Sequence, residues 1–144
     1  MKAPLQILLA EDSPEAASLV KEVLMESKIA HVLNVAADGE EALAFLRQQQ
    51  PFDYALRPDV VLLDLNMPKV DGMQVLSEMK NSDLKDIPVI VLTMSTNEED
   101  IARALDLKMN YYIRKPVDAR RLTPLLEAIG ELWETSGCDY TRDQ

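Results

Sequence analysis

The run Val60-Val61-Leu62-Leu63-Asp64-Leu65-Asn66-Met67-Pro68 constrains this chain more than any other stretch. Its first four residues, all valine or leucine, leave no polar face. That is the pattern of a strand covered on both sides, because a half-exposed strand would alternate. Asp64 falls where such a strand reaches its carboxyl end, and Pro68 stops it and opens a loop through Lys69-Val70-Asp71-Gly72. A carboxylate beside a hydrophobic run is costly unless a charged group meets it. The rest of the chain must therefore bring a partner to Asp64.

Other short apolar runs share this character. Leu5-Gln6-Ile7-Leu8-Leu9-Ala10 leads into Glu11-Asp12; Pro88-Val89-Ile90-Val91-Leu92 ends at Thr93; Tyr111-Tyr112-Ile113 ends in Arg114-Lys115-Pro116. Ile29 to Ala36 is a shorter strand whose polar His31 and Asn34 suit an edge. Helical patterns lie between the strands. Ser13-Pro14 is a capping residue with proline at the first helical position, and Ala16, Ala17, Leu19, Val20, Val23 and Leu24 follow at helical spacing. Asp38-Gly39-Glu40-Glu41 opens a second helix, with Glu41 where a capping box puts its acid, and the pattern carries on to Pro51. Asp71 is placed to cap a third helix, Gly72 to Lys80, with Val75, Leu76 and Met79 inward. Thr96-Asn97-Glu98-Glu99 opens a fourth through about Leu107. Asp118 caps a last one, whose apolar face is Leu122, Leu125, Leu126, Ile129, Leu132 and Trp133.

Strands alternating with helices of this length predict an α/β fold: a doubly wound five-stranded parallel sheet of flavodoxin-like type, with helices on both faces. At 144 residues the expectation is a single domain over residues 1–134, with a polar tail at 135–144 and no output domain. Twenty-five acidic against fifteen basic side chains give a net charge of −10, which argues against DNA or an anionic membrane as main partner. No run approaches the roughly 20 apolar residues of a membrane span, and no secretory start is visible. The lone Cys138 cannot form an internal disulfide, so the expected location is cytoplasmic.

In such sheets the working site lies at the carboxyl ends of the strands. The first strand delivers Glu11 and Asp12 there, the third Asp64, the fourth Thr93 and the fifth Lys115. Crowded carboxylates repel unless a cation sits among them, and Mg²⁺ is the hard ion that such oxygen ligands hold. The same arrangement leaves Asp64 as a carboxylate nucleophile toward phosphorus. Lys115 can then pair with a phosphoryl oxygen as a point charge, and the Thr93 hydroxyl can hydrogen-bond another.

Leu9-Ala10-Glu11-Asp12, Leu63-Asp64-Leu65-Asn66-Met67-Pro68 with Asp71-Gly72, Val91-Leu92-Thr93 and Lys115-Pro116 together resemble the receiver domain of two-component response regulators. The resemblance covers roughly residues 5 to 134. It implies that Asp64 accepts a phosphoryl group from a sensor histidine kinase. It implies that Glu11, Asp12, Asp64 and the backbone carbonyl of Asn66 hold Mg²⁺, that Thr93 and Lys115 read the phosphoryl group, and that Tyr112 is the aromatic switch. The long Pro51–Pro58 loop and the last helix, running on to Gly130-Glu131-Leu132-Trp133, are similar to stand-alone receivers that serve bacterial, chiefly cyanobacterial, phytochrome kinases. Homodimerisation through the fourth-helix, fifth-strand and fifth-helix side is what that subgroup implies. Met94, where many receivers have a small residue, and Lys108-Met109, where many have Gly-Ala, depart from the pattern.

Plainer readings stand beside these. Singly, Asp64 would be a capping carboxylate, Lys115 a solvated lysine at a turn and Thr93 an ordinary strand residue. Tyr112 would be plain packing, with Tyr111 competing for its role. His31 has no second histidine or cysteine near it, and Asp71 reads as a cap. The seven methionines read mostly as core filler, although Met67, Met73 and Met94 near the rim could offer adaptable contact surface. Two rival classes remain. A Mg²⁺-dependent phosphatase resembling haloacid dehalogenases also uses an aspartyl nucleophile, but such enzymes carry a second Asp where this chain has Asn66. A degenerate receiver would bind partners without phosphorylation.

Overall fold

The apolar runs form β1 (Leu5–Ala10), β2 (His31–Ala36), β3 (Val60–Asp64), β4 (Val89–Thr93) and β5 (Tyr111–Arg114). Between and after them lie α1 (Pro14–Ser27), α2 (Gly39–Leu46), α3 (Gly72–Lys80), α4 (Glu98–Asp106) and α5 (Ala119–Thr135). This computed structural model describes residues 4–27, 29–65, 67, 71–93, 98–107, 109, 111–115 and 117–135. Asn66, Pro68, Met94, Thr96, Asn97, Lys108, Pro116 and Cys138, on which sequence expectations fell, lie outside the described residues, as do the side chains of Leu132 and Trp133.

The strands pair in parallel in the order β2-β1-β3-β4-β5, so the expected doubly wound sheet is observed. The central position of β3 explains its sequence. Every residue from Val60 to Asp64 is buried, because β1 and β4 flank the strand and helices cover both faces. Val61 and Leu63 join Leu8, Val89 and Val91 in a core closed by α2, α3 and Ala104 of α4. Val60 and Leu62 join Ile7, Leu9, Ile90, Leu92 and Ile113 on the other face, against Val20 and Leu24 of α1 and Leu122 and Leu126 of α5. Each such side chain contributes about 1.5–3 kcal/mol on burial. β2 is the edge its polar residues suggested, with Val32, Asn34 and Val35 exposed.

Caps fix where helices begin. Asp38 accepts the Glu41 N–H at 2.8 Å, Asp71 the Gln74 N–H at 2.9 Å and Asp118 the Arg121 N–H at 3.0 Å. Two expectations need correction. The second helix does not reach Pro51: it stops at Leu46, and Gln48 turns into the left-handed region with φ 55°. The Gln49 N–H then returns to Ala44 O at 2.9 Å and the Gln48 N–H to Phe45 O at 3.1 Å. This is a Schellman ending with glutamine where glycine is usual, so no glycine marked it in the sequence. Met67 and Met73, the latter in α3 itself, lie in the core, where the methionines were mostly expected, and not as contact surface at the rim. The last helix runs to Thr135, one residue into the segment expected as tail. Among the described residues no helix is long and apolar enough to cross a membrane.

Candidate functional site

β1 and β3 are neighbours with Ala10 opposite Leu63, so the residues that follow, Glu11 and Asp64, come out side by side. The Glu11 N–H donates to Ala36 O at 2.9 Å, holding the chain in the sheet for one residue past β1. Glu11 and Asp64 are 3% and 4% exposed while Asp12 faces solvent. One carboxylate oxygen from each of the three lies within 4.8 Å of the others. The structure thus brings together the three carboxylates that the sequence placed at one rim.

The fourth and fifth strands deliver their groups in the same way. Thr93 ends β4 and is 1% exposed. Its carbonyl accepts the Lys115 N–H at 2.8 Å, tying the residue after β5 to the end of β4. From there the Lys115 side chain reaches Glu11 Oε1 at 2.6 Å and Asp64 Oδ2 at 3.3 Å. Burial by itself would lower the Lys115 pKa. The Glu11 hydrogen bond and the charges of Asp64 and Glu11 outweigh it and hold the ammonium above its ordinary range. Lys115 is thus a fixed cation at the centre of the acidic rim.

Three carboxylates against one ammonium leave two net negative charges, which one divalent cation would balance. The donors are all oxygen, which suits a hard ion, and Asp12 keeps one side of the cluster open to water. The acidic cluster therefore fits the divalent-metal site of receiver domains. Asn66, whose backbone carbonyl was expected to complete the set, lies outside the described residues.

Tyr112 stands opposite Val91. Alternation along the strands puts it on the sheet face that also carries Thr93, whereas Tyr111 belongs to the other face. Both tyrosines are exposed, and Tyr112 lines a hollow with Arg114 and Arg121. The sequence reading did not single out two supporting residues. The Ser13 N–H donates to Glu11 Oε2 at 3.3 Å while its hydroxyl accepts the Ala16 N–H, so α1's cap also steadies the acidic pair. Gly72 lies against the backbone at the end of β3. Ser13 was legible only as a cap, and Gly72 only as part of a motif.

A parallel sheet with an acidic rim and one lysine bound into it is the architecture of a phospho-signalling receiver. The chain belongs to the response regulator receiver domain family, which it matches over residues 7–127, a family of two-component phosphorelay signalling. It is 46% identical over 131 residues to response regulator Rcp1 of Synechocystis sp., covering 90% of this chain and 89% of that protein. The Mn²⁺-bound form of Rcp1 superimposes with a TM-score of 0.76 at 45% identity, covering 90% of this chain and 92% of that one. The phosphorylated cyanobacterial phytochrome response regulator RcpA gives 0.79 at 42% identity, covering 93% and 96%. This is a family of signalling proteins, and the match is to it and not to the haloacid-dehalogenase-like phosphatases.

Proposed function

We propose that the chain is a phosphorylation switch in which Asp64 accepts a phosphoryl group from a sensor histidine kinase in a Mg²⁺-dependent reaction. The observation that carries this reading is the Glu11–Asp12–Asp64 cluster held together with Lys115 at the carboxyl ends of the strands. When bound, a divalent cation neutralises charge on the incoming phosphoryl oxygens. Glu11, Asp12, Asp64 and the carbonyl of Asn66 would hold it. An Asp64 oxygen attacks the phosphorus of a phosphohistidine. The O–P bond forms as the P–N bond breaks, and the donor imidazole leaves with that electron pair and takes up a proton.

The new phosphoryl group adds about −1.5 to −2 of charge. Lys115 turns from Glu11 toward a phosphoryl oxygen, and the Thr93 hydroxyl donates to another. Tyr112, on the same sheet face, moves toward the space Thr93 leaves, and the α4–β5–α5 side changes its binding preference. A homodimer through that side is the proposed readout; exposed Leu105, Tyr111 and Tyr112 support it. The likeness to phytochrome response regulators supports a bacterial phytochrome as the kinase. In this reading the receiver extends to the end of α5 at Thr135, the polar residues that follow are a tail, and the protein works in the cytoplasm without contacting DNA directly.

The test is intact mass after incubation with Mg²⁺ and a small phosphodonor, for the wild type and Asp64→Asn. One phosphoryl increment, absent from the variant and lost at alkaline pH, is expected. Donor left intact by the wild type would defeat the reading.

A further inference from the structure

Gly72 is the first residue of α3, a position where glycine is the poorest helix former after proline. Its backbone is not in the left-handed region, so conformational freedom does not explain it. Space does. A Cβ built on Gly72 would fall on the Asp64 carbonyl oxygen, 2.6 Å from Leu65 Cα and 2.9 Å from the Asp64 carbonyl carbon. These are backbone atoms of the last residue of the buried strand β3 and of the residue after it, and they have no flexible end that could swing away. The Gly72 N–H also donates to Leu65 O at 3.0 Å, tying the start of α3 to the residue that follows β3.

We infer that Gly72 is a positioning residue for the phosphoacceptor: α3 starts hard against the Asp64–Leu65 backbone, and that contact sets where the Asp64 carboxylate stands relative to Glu11, Asp12 and Lys115. The inference rests on the proposed role of Asp64. Any side chain at residue 72 must push Asp64 outward or lift the start of α3; the first moves the carboxylate itself, and the second loosens the Gly72 N–H bond to Leu65 O that braces the backbone beside it. A carboxylate displaced by an ångström holds its shared cation less well, and its line of attack suffers, since such a misplacement can cost about 100-fold in rate. Changes to groups that orient metal ligands commonly cost about 10–100-fold in metal affinity.

The experiment compares Gly72→Ala with Gly130→Ala, because a Cβ at Gly130 in α5 meets nothing within 4 Å. Each variant and the wild type are titrated with Mn²⁺ by paramagnetic broadening of backbone amide signals, and metal-free spectra are recorded alongside. Thermal unfolding is measured on the same samples. Gly72→Ala is expected to remain folded, to weaken Mn²⁺ binding by about tenfold or more, and to shift the metal-free Leu65 and Lys115 amides; Gly130→Ala should match the wild type in all three. Should Gly72→Ala not fold at 25 °C, the same comparison is made at a lower temperature, and failure to fold there as well would make Gly72 a folding residue and overturn the inference. A lowered melting temperature with wild-type Mn²⁺ affinity would make Gly72 merely structural and overturn the inference. A wild type that binds no Mn²⁺ would instead remove the reading of the acidic cluster on which it rests.

Discussion

Lys115 Nζ lies 2.6 Å from Glu11 Oε1 although 104 residues of chain separate the two. The contact is nearly dry, with the Glu11 side chain 1% exposed and that of Lys115 14%. Removing one partner of a buried pair leaves the other charge without compensation, which typically costs about 3–5 kcal/mol. Lys115→Met keeps the apolar stem and deletes the charge. In the absence of divalent ions it should lower the unfolding free energy in urea by about 3 kcal/mol. Glu11→Gln added to Lys115→Met should recover part of that loss, because the uncompensated charge is then gone. A double variant that is weaker by the sum of two independent effects would show that the pair is not coupled.

The same contact predicts a pH dependence. Lys115 holds its proton more tightly in the folded protein than at its ordinary pKa of 10.5 in the unfolded chain, because Glu11 and Asp64 together outweigh burial. The folded state therefore binds more protons in the window between the two values, and stability falls there as pH rises. Below 10.5 the stabilisation is fully present; it is lost as pH climbs through the folded value. Urea unfolding of wild type and Lys115→Met should give a constant difference up to about pH 10, narrowing above it. A difference that grows with alkalinity would contradict the geometry.

Much of this was legible because the physics is local. Val60 to Leu63 are apolar on both sides because β3 is central, and Gly39, Gly72 and Pro14 begin helices at the places their caps imply. The acidic rim was legible because parallel strands must deliver their last residues to one edge, which makes Glu11, Asp64, Thr93 and Lys115 neighbours whatever lies between them. What escaped the sequence was what depends on tertiary detail. Gln48 ends α2 in a conformation that its side chain does not announce. Met67 and Met73 sit beside the rim in sequence, and only the packed fold shows that both turn into the core. The lysine's partner could be placed only to the rim, and the choice of Glu11 at 2.6 Å over Asp64 at 3.3 Å is set by side-chain reach.

Asp71 offers a test of how the start of α3 is held. Its side chain accepts the Gln74 N–H at 2.9 Å, and its carbonyl accepts the Val75 N–H at 3.0 Å. Asp71→Ala removes the first of these and should cost about 1 kcal/mol, while Asp71→Ser should cost little. The loss should appear as a lower denaturant midpoint with an unchanged slope. If both variants fall equally, the exposed carboxylate acts through something other than the cap.

The last prediction concerns the ion that the acidic cluster fits. A cation that binds the folded protein alone adds RT ln(1 + [L]/Kd) to its stability, about 2.7 kcal/mol at a concentration 100 times Kd. Mg²⁺ or Mn²⁺ should therefore raise the melting temperature of the wild type progressively with concentration. The rise should be larger for Lys115→Met, because the deleted ammonium no longer competes for Glu11 and Asp64 and the vacated charge raises the affinity for the ion. It should vanish when Asp12 and Asp64 are both changed to asparagine, since two of the three clustered carboxylates are then gone. Matched ionic strength with NaCl separates this from general screening, which acts on exposed charges across the whole surface of a chain with net charge −10. Equal melting-temperature gains for wild type and the double asparagine variant would place the stabilising ion elsewhere. A smaller gain for Lys115→Met than for wild type would mean that the ammonium helps to hold the site together for the metal rather than standing in for it.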